Sequence, residues 1–147
     1  MTDAAAQPIT RLVVGAAIVD DLTHPTVLLA ARRTAPSALA GGWEFPGGKV
    51  EQDESLEAAL HRELAEELDV TVELGEQVTG PVALGDATGW PLKPGFVMQV
   101  RFARITTGTM RLVDHDQVRW LTPAQLYDVP WLPADLPIVD AIRALLH

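Results

Sequence analysis

Three glutamates within five positions of the chain are the residues best suited to chemistry: Glu63, Glu66 and Glu67. Residues three and four apart lie on the same face of an α-helix, so a helix here would bring the three carboxylates together. Like charges at this spacing repel one another unless a cation neutralises them. Clustered carboxylate oxygens are ligands that Mg²⁺ and Mn²⁺ prefer. The triplet therefore predicts a divalent-cation site, with a solvated acidic helix face as the alternative.

Two neighbouring segments must position these carboxylates. Leucines at 56, 60, 64 and 68 recur at every fourth residue and predict a helix over residues 54–68, with Asp53 or Ser55 as its N-cap. Before it, Gly47 and Gly48 allow the backbone to turn sharply and to approach a ligand closely. A carbonyl in that turn would add a neutral oxygen to the carboxylates. Together the turn and the helix predict a cation site built from a loop and a helix.

The remaining pattern predicts an α/β fold with a mixed sheet in a single domain. Apolar or alternating runs indicate strands over residues 11–19, 26–31, 70–74, 78–84, 96–105 and 117–121. A short helix is expected after Thr122, and a final helix after residues 133–135 with Leu136, Ile138, Val139, Ile142, Leu145 and Leu146 on its buried side. We expect one domain over residues 11–147, preceded by a flexible arm over residues 1–10.

Composition narrows the classes of partner. The net charge of −9 argues against a protein that coats a nucleic acid polymer, whereas a small phosphorylated ligand can bind an acidic site through divalent cations. The chain has no cysteine, so disulfides and thiolate metal sites are excluded. No apolar run is long enough to cross a membrane, and the first ten residues lack the pattern of a secretory signal. We therefore expect a cytoplasmic protein, either a monomer or a homodimer.

The spacing of the glycine turn and the glutamates resembles the sequence motif called the Nudix box. Gly48 is followed after five residues by Glu54, and after seven more by the run RELAEE over residues 62–67. Asp69 departs from the pattern, which usually has glycine there; aspartate tolerates the left-handed conformation better than most residues. WEFPGGK at 43–49, Arg32-Arg33, Asp114-His115 and PADLP at 133–137 are similar to the MutT and CTP pyrophosphohydrolase branch. This resemblance implies the Nudix α/β/α sandwich.

The resemblance also implies roles for the residues of the box. Glu67 would be a direct ligand of Mg²⁺, with Mn²⁺ as a substitute, and Glu66, Glu63 and the Gly47 carbonyl would complete the set. Glu63 or Asp114 would be the general base. Arg62 would hold Glu63 in place, and Glu54 would pair with donors near the loop.

Four further residues are candidates for binding the substrate. Arg33 resembles a phosphate-contacting arginine, and Lys49 would either neutralise phosphate or lie in solvent. Asp135 would either cap the last helix or accept a hydrogen bond from the base, which suits cytosine or 8-oxo-guanine better than thymine. Phe96 would either stack on the base or pack in the core, as would Trp43. We expect His115 to be structural.

The implied function is Mg²⁺-dependent hydrolysis of a nucleoside triphosphate to a monophosphate and pyrophosphate. The expected substrates are CTP, dCTP or 5-methyl-dCTP, and also 8-oxo-dGTP. Three alternatives remain: an ADP-ribose or dinucleotide pyrophosphatase, a Nudix module that senses nucleotides without cutting them, and an interaction domain with an acidic helix.

Overall fold

The computed structural model describes Ile9 and residues 11–34 and 39–147, and within them two sheets and two α-helices. The strands are β1 (Arg11–Ile18), β2 (Leu28–Arg33), β3 (Trp43–Glu44), β4 (Gly47–Lys49), β5 (Thr71–Gln77), β6 (Val82–Leu84), β7 (Ala87–Lys93), β8 (Phe96–Thr107) and β9 (His115–Leu121). The helices are α1 (Leu56–Leu68) and α2 (Leu136–Arg143). The expected arm over residues 1–10 lies outside the described residues, apart from Ile9.

The larger sheet is mixed, as the sequence predicts. Its strands lie in the order β4-β1-β8-β7-β6, and β5 pairs with the second half of β8. The central pair, β1 with β8, is parallel, whereas β4, β5 and β7 pair antiparallel with their neighbours. A parallel strand in mid-sheet is covered on both faces, which suits the unbroken apolar run of β1. The smaller sheet is antiparallel, in the order β3-β2-β9.

The two helices cover opposite sides of this β layer. Alternate residues of β1 face opposite ways: Val14 and Ala16 belong to the cluster under α1, whereas Ala17 belongs to the cluster under α2. Strand β2 divides likewise, since Leu29 faces α1 and Leu28 faces α2. The architecture is therefore the α/β/α sandwich that the sequence predicted. Within the described residues, no helix is both long and apolar enough to span a membrane.

Helix α1 begins and ends where its sequence requires. The Ser55 hydroxyl accepts a hydrogen bond from the Ala58 N–H at 3.1 Å, so Ser55 rather than Asp53 is the N-cap. Asp69 ends the helix with φ 57°, in the left-handed conformation that glycine would adopt more easily. Leu60, Leu64 and Leu68 are buried against the sheet, which leaves the neighbouring glutamates at the edge of the packed face.

Three sequence predictions need correction. The strand expected over residues 78–84 is confined to β6, and β7 was not predicted because its segment is rich in glycine and proline. The helix expected after Thr122 is a single 3₁₀ turn, Pro123–Gln125. In the last helix Ile138, Val139 and Ile142 are buried, but Leu136 is 39% exposed and Leu145, beyond the helix end, is 49% exposed.

Candidate active site

A cavity of about 740 Å³ opens between the glycine turn and the segment that leads into α2. Its wall contains two groups of polar residues and a set of apolar residues. One group contains Gly47, Gly48, Glu63 and Glu67, and the other contains Arg33, Glu44 and Asp135. The apolar residues of the wall are Val13, Leu39, Phe45, Leu92, Phe96, Met98, Leu132, Pro133 and Ala134.

The glycine turn holds the backbone of β4 against the glutamates of α1. The Gly47 N–H donates a hydrogen bond to Glu67 Oε2 at 3.1 Å. A Cβ on Gly48 would lie 1.4 Å from Glu63 Oε2, and a Cβ on Gly47 would lie 1.9 Å from the Val14 carbonyl oxygen. At Gly47 the clash is with backbone, so no side chain fits, and at Gly48 any side chain would displace the Glu63 carboxylate. The two glycines therefore allow the carboxylates to meet the backbone directly.

Arg62 forms ion pairs with three neighbouring carboxylates and holds them in place. Its Nε and Nη2 donate to the two carboxylate oxygens of Glu54 at 2.7 and 2.9 Å, and its Nη1 donates to Glu63 Oε1 at 2.9 Å. Nη1 also lies 3.3 Å from Glu66 Oε2, and Nη2 donates to the Lys49 carbonyl at 3.0 Å. The hydrogen bonds from Arg62 lower the pKa of Glu54 to about 2. One guanidinium thus fixes both the loop and the side chain of Glu63.

Negative charge is only partly compensated at this end of the cavity. Burial, together with the nearby Glu63 and Glu44 carboxylates, raises the pKa of Glu67 to about 7, against the opposing effects of His115 and the Gly47 N–H. Burial also raises the pKa of Glu63, despite its ion pair with Arg62. Half-buried carboxylates with few cations around them are costly, and a divalent cation would remove that cost.

The donor set fits Mg²⁺ or Mn²⁺ in its chemistry, since its members are hard oxygen ligands. In the parts of the chain that the structure describes, no three acidic or imidazole side chains already converge on one point as a finished metal site. The reason is visible in their partners: Glu63 and Glu66 point to Arg62, and Glu67 points to the Gly47 N–H. Binding of a cation would require Glu66 and Glu67 to exchange partners, whereas Glu63 could keep Arg62 on its Oε1 and offer its Oε2.

Asp135 belongs to the second polar group of the cavity wall, with Arg33 and Glu44, and is only 4% exposed. It precedes α2 with φ −87° and ψ −18°, and its side chain makes no capping hydrogen bond, so the capping role considered for it is wrong. Burial and the nearby Glu44 carboxylate raise the pKa of Asp135 to about 7, against the effect of Arg33. A buried carboxylate without a capping function is suited to binding a ligand.

Glu44 links this part of the cavity to the strands behind it. Its carboxylate accepts hydrogen bonds from Arg33 Nη1 at 2.9 and 3.2 Å, and lies 3.0 Å from His115 Nε2. His115 is 4% exposed, and its Nδ1 is buried without a hydrogen-bond partner among the described residues. The Arg33 side chain, expected to contact phosphate, therefore lies beside Glu44 and Asp135.

The other predicted residues are divided between the cavity and the outside. Phe96 and Lys49 line the cavity, and the Lys93 ammonium lies 4.3 Å from the centre of the Phe96 ring. Glu66 is 59% exposed in its side chain and does not line the cavity. Asp114 is exposed on the loop before β9 and also lies outside the described lining; its carbonyl accepts a hydrogen bond from the Thr34 hydroxyl. Trp43 is buried in the core.

Sequence reasoning missed four polar residues of the cavity: Arg11, Glu44, Glu51 and Lys93. Glu44 lies within the WEFPGGK segment, which was the only signal that could have pointed to it. Arg11 and Lys93 stand at strand ends and belong to no motif. Their proximity follows from the parallel pairing of β1 with β8, which a single sequence does not specify.

The sequence model of the NUDIX domain matches residues 9–142. A Mycobacterium tuberculosis protein with the provisional name 8-oxo-dGTP diphosphatase 2 is 39% identical over 141 residues, which cover 93% of this chain and 92% of that protein. The CTP pyrophosphohydrolase of Escherichia coli K12 is 37% identical over 120 residues, covering 80% of this chain and 83% of that protein.

Solved structures agree with the fold. The solution structure of the E. coli ORF135 protein superposes with a TM-score of 0.68 at 32% identity and covers 99% of this chain and 95% of its own. The crystal structure of the MutT Nudix hydrolase from Burkholderia pseudomallei gives a TM-score of 0.63 at 26% identity, with 93% of this chain and 99% of that chain covered.

Proposed function

Because this chain belongs to the Nudix family of hydrolases, we propose that it hydrolyses nucleoside triphosphates to a monophosphate and pyrophosphate with Mg²⁺. The observation that carries this proposal is the arrangement of the cavity wall. Glu67, half-buried and with its pKa raised to about 7, lies against the glycine turn beside Glu63. A separate buried carboxylate, Asp135, lines the same cavity and is free of any capping role. The wall thus offers one site for a metal-bound polyphosphate and another for a base.

We propose that Glu67, Glu63, Glu66 and the Gly47 carbonyl hold the cation. When bound, Mg²⁺ would neutralise the polyphosphate and acidify a water. Glu66 lies at the solvent-exposed rim, so it would join the set by releasing Arg62. Arg62 would remain bound to Glu54 through its Nε and Nη2 and would keep the loop in place.

Between the two candidate bases, the structure favours Glu63. Its carboxylate lines the cavity, with its side chain 14% exposed, whereas Asp114 lies outside the described lining. A carboxylate in the cavity can accept the proton of an attacking water at its Oε atoms. Arg62, bound to Glu63 Oε1 at 2.9 Å, acts as the positioning residue for this step. We assign the proton transfer to Glu63.

Asp135 suits both cytosine and 8-oxo-guanine as the nucleobase and does not choose between them. Ionised Asp135 is an acceptor, and both bases offer it an N–H donor. The E. coli relative is named for CTP and the M. tuberculosis relative for 8-oxo-dGTP, so each name supports one of these two nucleobases. We therefore propose CTP, dCTP and 5-methyl-dCTP as the first substrates to test, and 8-oxo-dGTP as the next. The presence of Glu63, Glu66 and Glu67 argues against a sensing module without hydrolysis.

A substrate panel tests the proposal. The four triphosphates above, ATP and ADP-ribose are incubated with the chain and Mg²⁺, and the products are identified by phosphorus NMR. We expect a monophosphate and pyrophosphate from the cytidine nucleotides or 8-oxo-dGTP, and no reaction when a chelator replaces Mg²⁺. Cleavage of ADP-ribose alone would assign the chain to the competing class of pyrophosphatases. Release of orthophosphate, or no reaction with any of these compounds, would overturn the proposal.

The role of Asp135 has its own test. Asp135→Ala should change the ratio of kcat/KM values between cytidine and other nucleotides far more than it changes kcat for the preferred one. A loss of stability with the same ratio would show that Asp135 does not contact the base.

A further inference from the structure

Arg11 is a cavity residue that the proposed chemistry leaves unused. It is the first residue of β1, it lines the cavity, and its Nε is buried without a hydrogen-bond partner in the described part of the chain. None of the ion pairs among the described residues includes Arg11. A guanidinium donor that is neither solvated nor bonded costs free energy, and this cost would be removed if the Arg11 side chain turned its Nε toward an acceptor on a ligand in the cavity.

The position of Arg11 along β1 decides which part of a nucleotide it meets. Arg11 and Gly15 point to the same face of the sheet, because side chains alternate along a strand. Gly15 is the register partner of Gly47, which belongs to the glutamate end of the cavity. Four residue steps along the strand separate Arg11 from Gly15, or about 13 Å at roughly 3.3 Å per step. A nucleotide with its phosphates at the glutamates would therefore extend its other end toward Arg11.

The residues around Arg11 suit a nucleobase better than a phosphate. In the parallel register Arg11 pairs with Phe96, and the next residue on the same face, Val13, pairs with Met98. All four residues line the cavity. Apolar and aromatic surface beside a buried donor suits a flat heterocycle. Two lysines also line the cavity, but Lys93 lies over the Phe96 ring at 4.3 Å and Lys49 is exposed, which leaves the Arg11 Nε as the buried donor without a partner in the described part of the chain.

We propose that Arg11 is a substrate-binding residue whose guanidinium donates to a carbonyl oxygen of the nucleobase. Cytosine and guanine have such an oxygen, whereas adenine presents an amino donor where guanine has O6. Arg11 thereby selects bases with a carbonyl against adenine, and complements Asp135, which takes the N–H donors of the base. The inference rests on the proposed function, because it takes the ligand of the cavity to be a nucleotide.

Nucleotide binding measured at equilibrium, without metal, tests this inference independently of hydrolysis. The dissociation constants of CMP, 8-oxo-dGMP, AMP and ribose 5-phosphate are measured by calorimetry in the presence of a chelator. The proteins compared are the unaltered chain, Arg11→Met, Arg11→Lys, and Arg104→Met as the matched control. Arg104 is a cation of β8 that is paired with Glu73 and lies outside the cavity lining. Circular dichroism and thermal unfolding establish that each variant is folded.

We expect Arg11→Met to weaken CMP or 8-oxo-dGMP binding by about tenfold or more, as for loss of a charged hydrogen bond. AMP and ribose 5-phosphate should change by less than about twofold on the same scale. Arg11→Lys should recover only part of the loss, because an ammonium lacks the guanidinium fork. Arg104→Met should bind all four ligands like the unaltered chain.

Three results would overturn the inference. Equal weakening of all four ligands would place Arg11 on the phosphate, and no change in any would show that it touches no ligand. Failure of the unaltered chain to bind any of the monophosphates better than ribose 5-phosphate would remove the base site altogether. Pyrophosphate release from the triphosphates is scored separately. Hydrolysis with a base preference that is unchanged in Arg11→Met refutes this inference alone, whereas Arg11-dependent binding without hydrolysis refutes only the proposed function.

Discussion

Asp135→Asn replaces a buried carboxylate by a neutral side chain of the same shape, and its effect on stability can be worked out from the structure. Asp135 is 4% exposed, and burial together with Glu44 raises its pKa from the ordinary value of 3.8 to about 7. A group with a raised pKa favours the folded state fully below its unfolded pKa, and this contribution is lost as the pH rises toward the folded pKa. Roughly three pKa units, at about 1.4 kcal/mol each, place the cost of ionised Asp135 near 4 kcal/mol.

The free energy of unfolding measured against pH shows this cost. Urea denaturation of both proteins is followed from pH 5.5 to pH 8.5. Asparagine is neutral at every pH, so the variant should be the more stable protein at neutral pH and above. Its advantage should grow by about 2 kcal/mol between pH 5.5 and pH 7 and then level off.

Asp86→Asn is the matched control. Asp86 is exposed in the turn between β6 and β7, so the substitution removes one carboxylate without changing a buried charge. We expect a change within about 0.5 kcal/mol throughout the range. A difference between Asp135→Asn and the unaltered chain that does not vary with pH would refute the reasoning, since it would mean that Asp135 carries no penalty for burial.

Two further substitutions test the parts around α1. Ser55→Ala removes the acceptor of the Ala58 N–H, so the free energy of unfolding measured in urea should fall by about 1 kcal/mol while kcat stays the same. An unchanged free energy of unfolding would contradict the assignment of Ser55 as the N-cap. Gly48→Ala would place a methyl carbon 1.4 Å from Glu63 Oε2, so Glu63 must move, and kcat should fall by about 100-fold in a pyrophosphate-release assay. A kcat equal to that of the unaltered chain would show that the position of Glu63 does not matter.

The parts of the fold that depend on local sequence were predictable. The leucine period and Ser55 specify α1, and the left-handed conformation of Asp69 follows from the helix end alone. The close approach of Gly47 and Gly48 to the carboxylates was likewise expected from the residue types. Strand β7 was missed because Gly89 and Pro91 usually mark turns, whereas here Gly89 pairs with β6 and Pro91 pairs with β8.

The parts of the site that depend on tertiary pairing could not be predicted. Asp135 precedes a helix, where aspartate normally caps, and only the structure shows that its side chain is buried without a capping bond. Glu44 meets His115 because β2 lies between β3 and β9 in the smaller sheet. Arg11 enters the cavity through its parallel register with Phe96. Each contact joins residues far apart in sequence, and no local pattern encodes them.

The central claim is that Glu67 binds the cation on which hydrolysis depends. Glu67→Gln keeps the size of the side chain and removes its charge, so the fold should be retained as repulsion with Glu63 and Glu44 is relieved. The direct measurement is Mn²⁺ binding by electron paramagnetic resonance, made beside Mg²⁺-dependent pyrophosphate release on the same preparations. We predict that Glu67→Gln loses most of its Mn²⁺ affinity and that its kcat falls by at least about 100-fold. Unchanged Mn²⁺ affinity together with an unchanged rate would contradict the account.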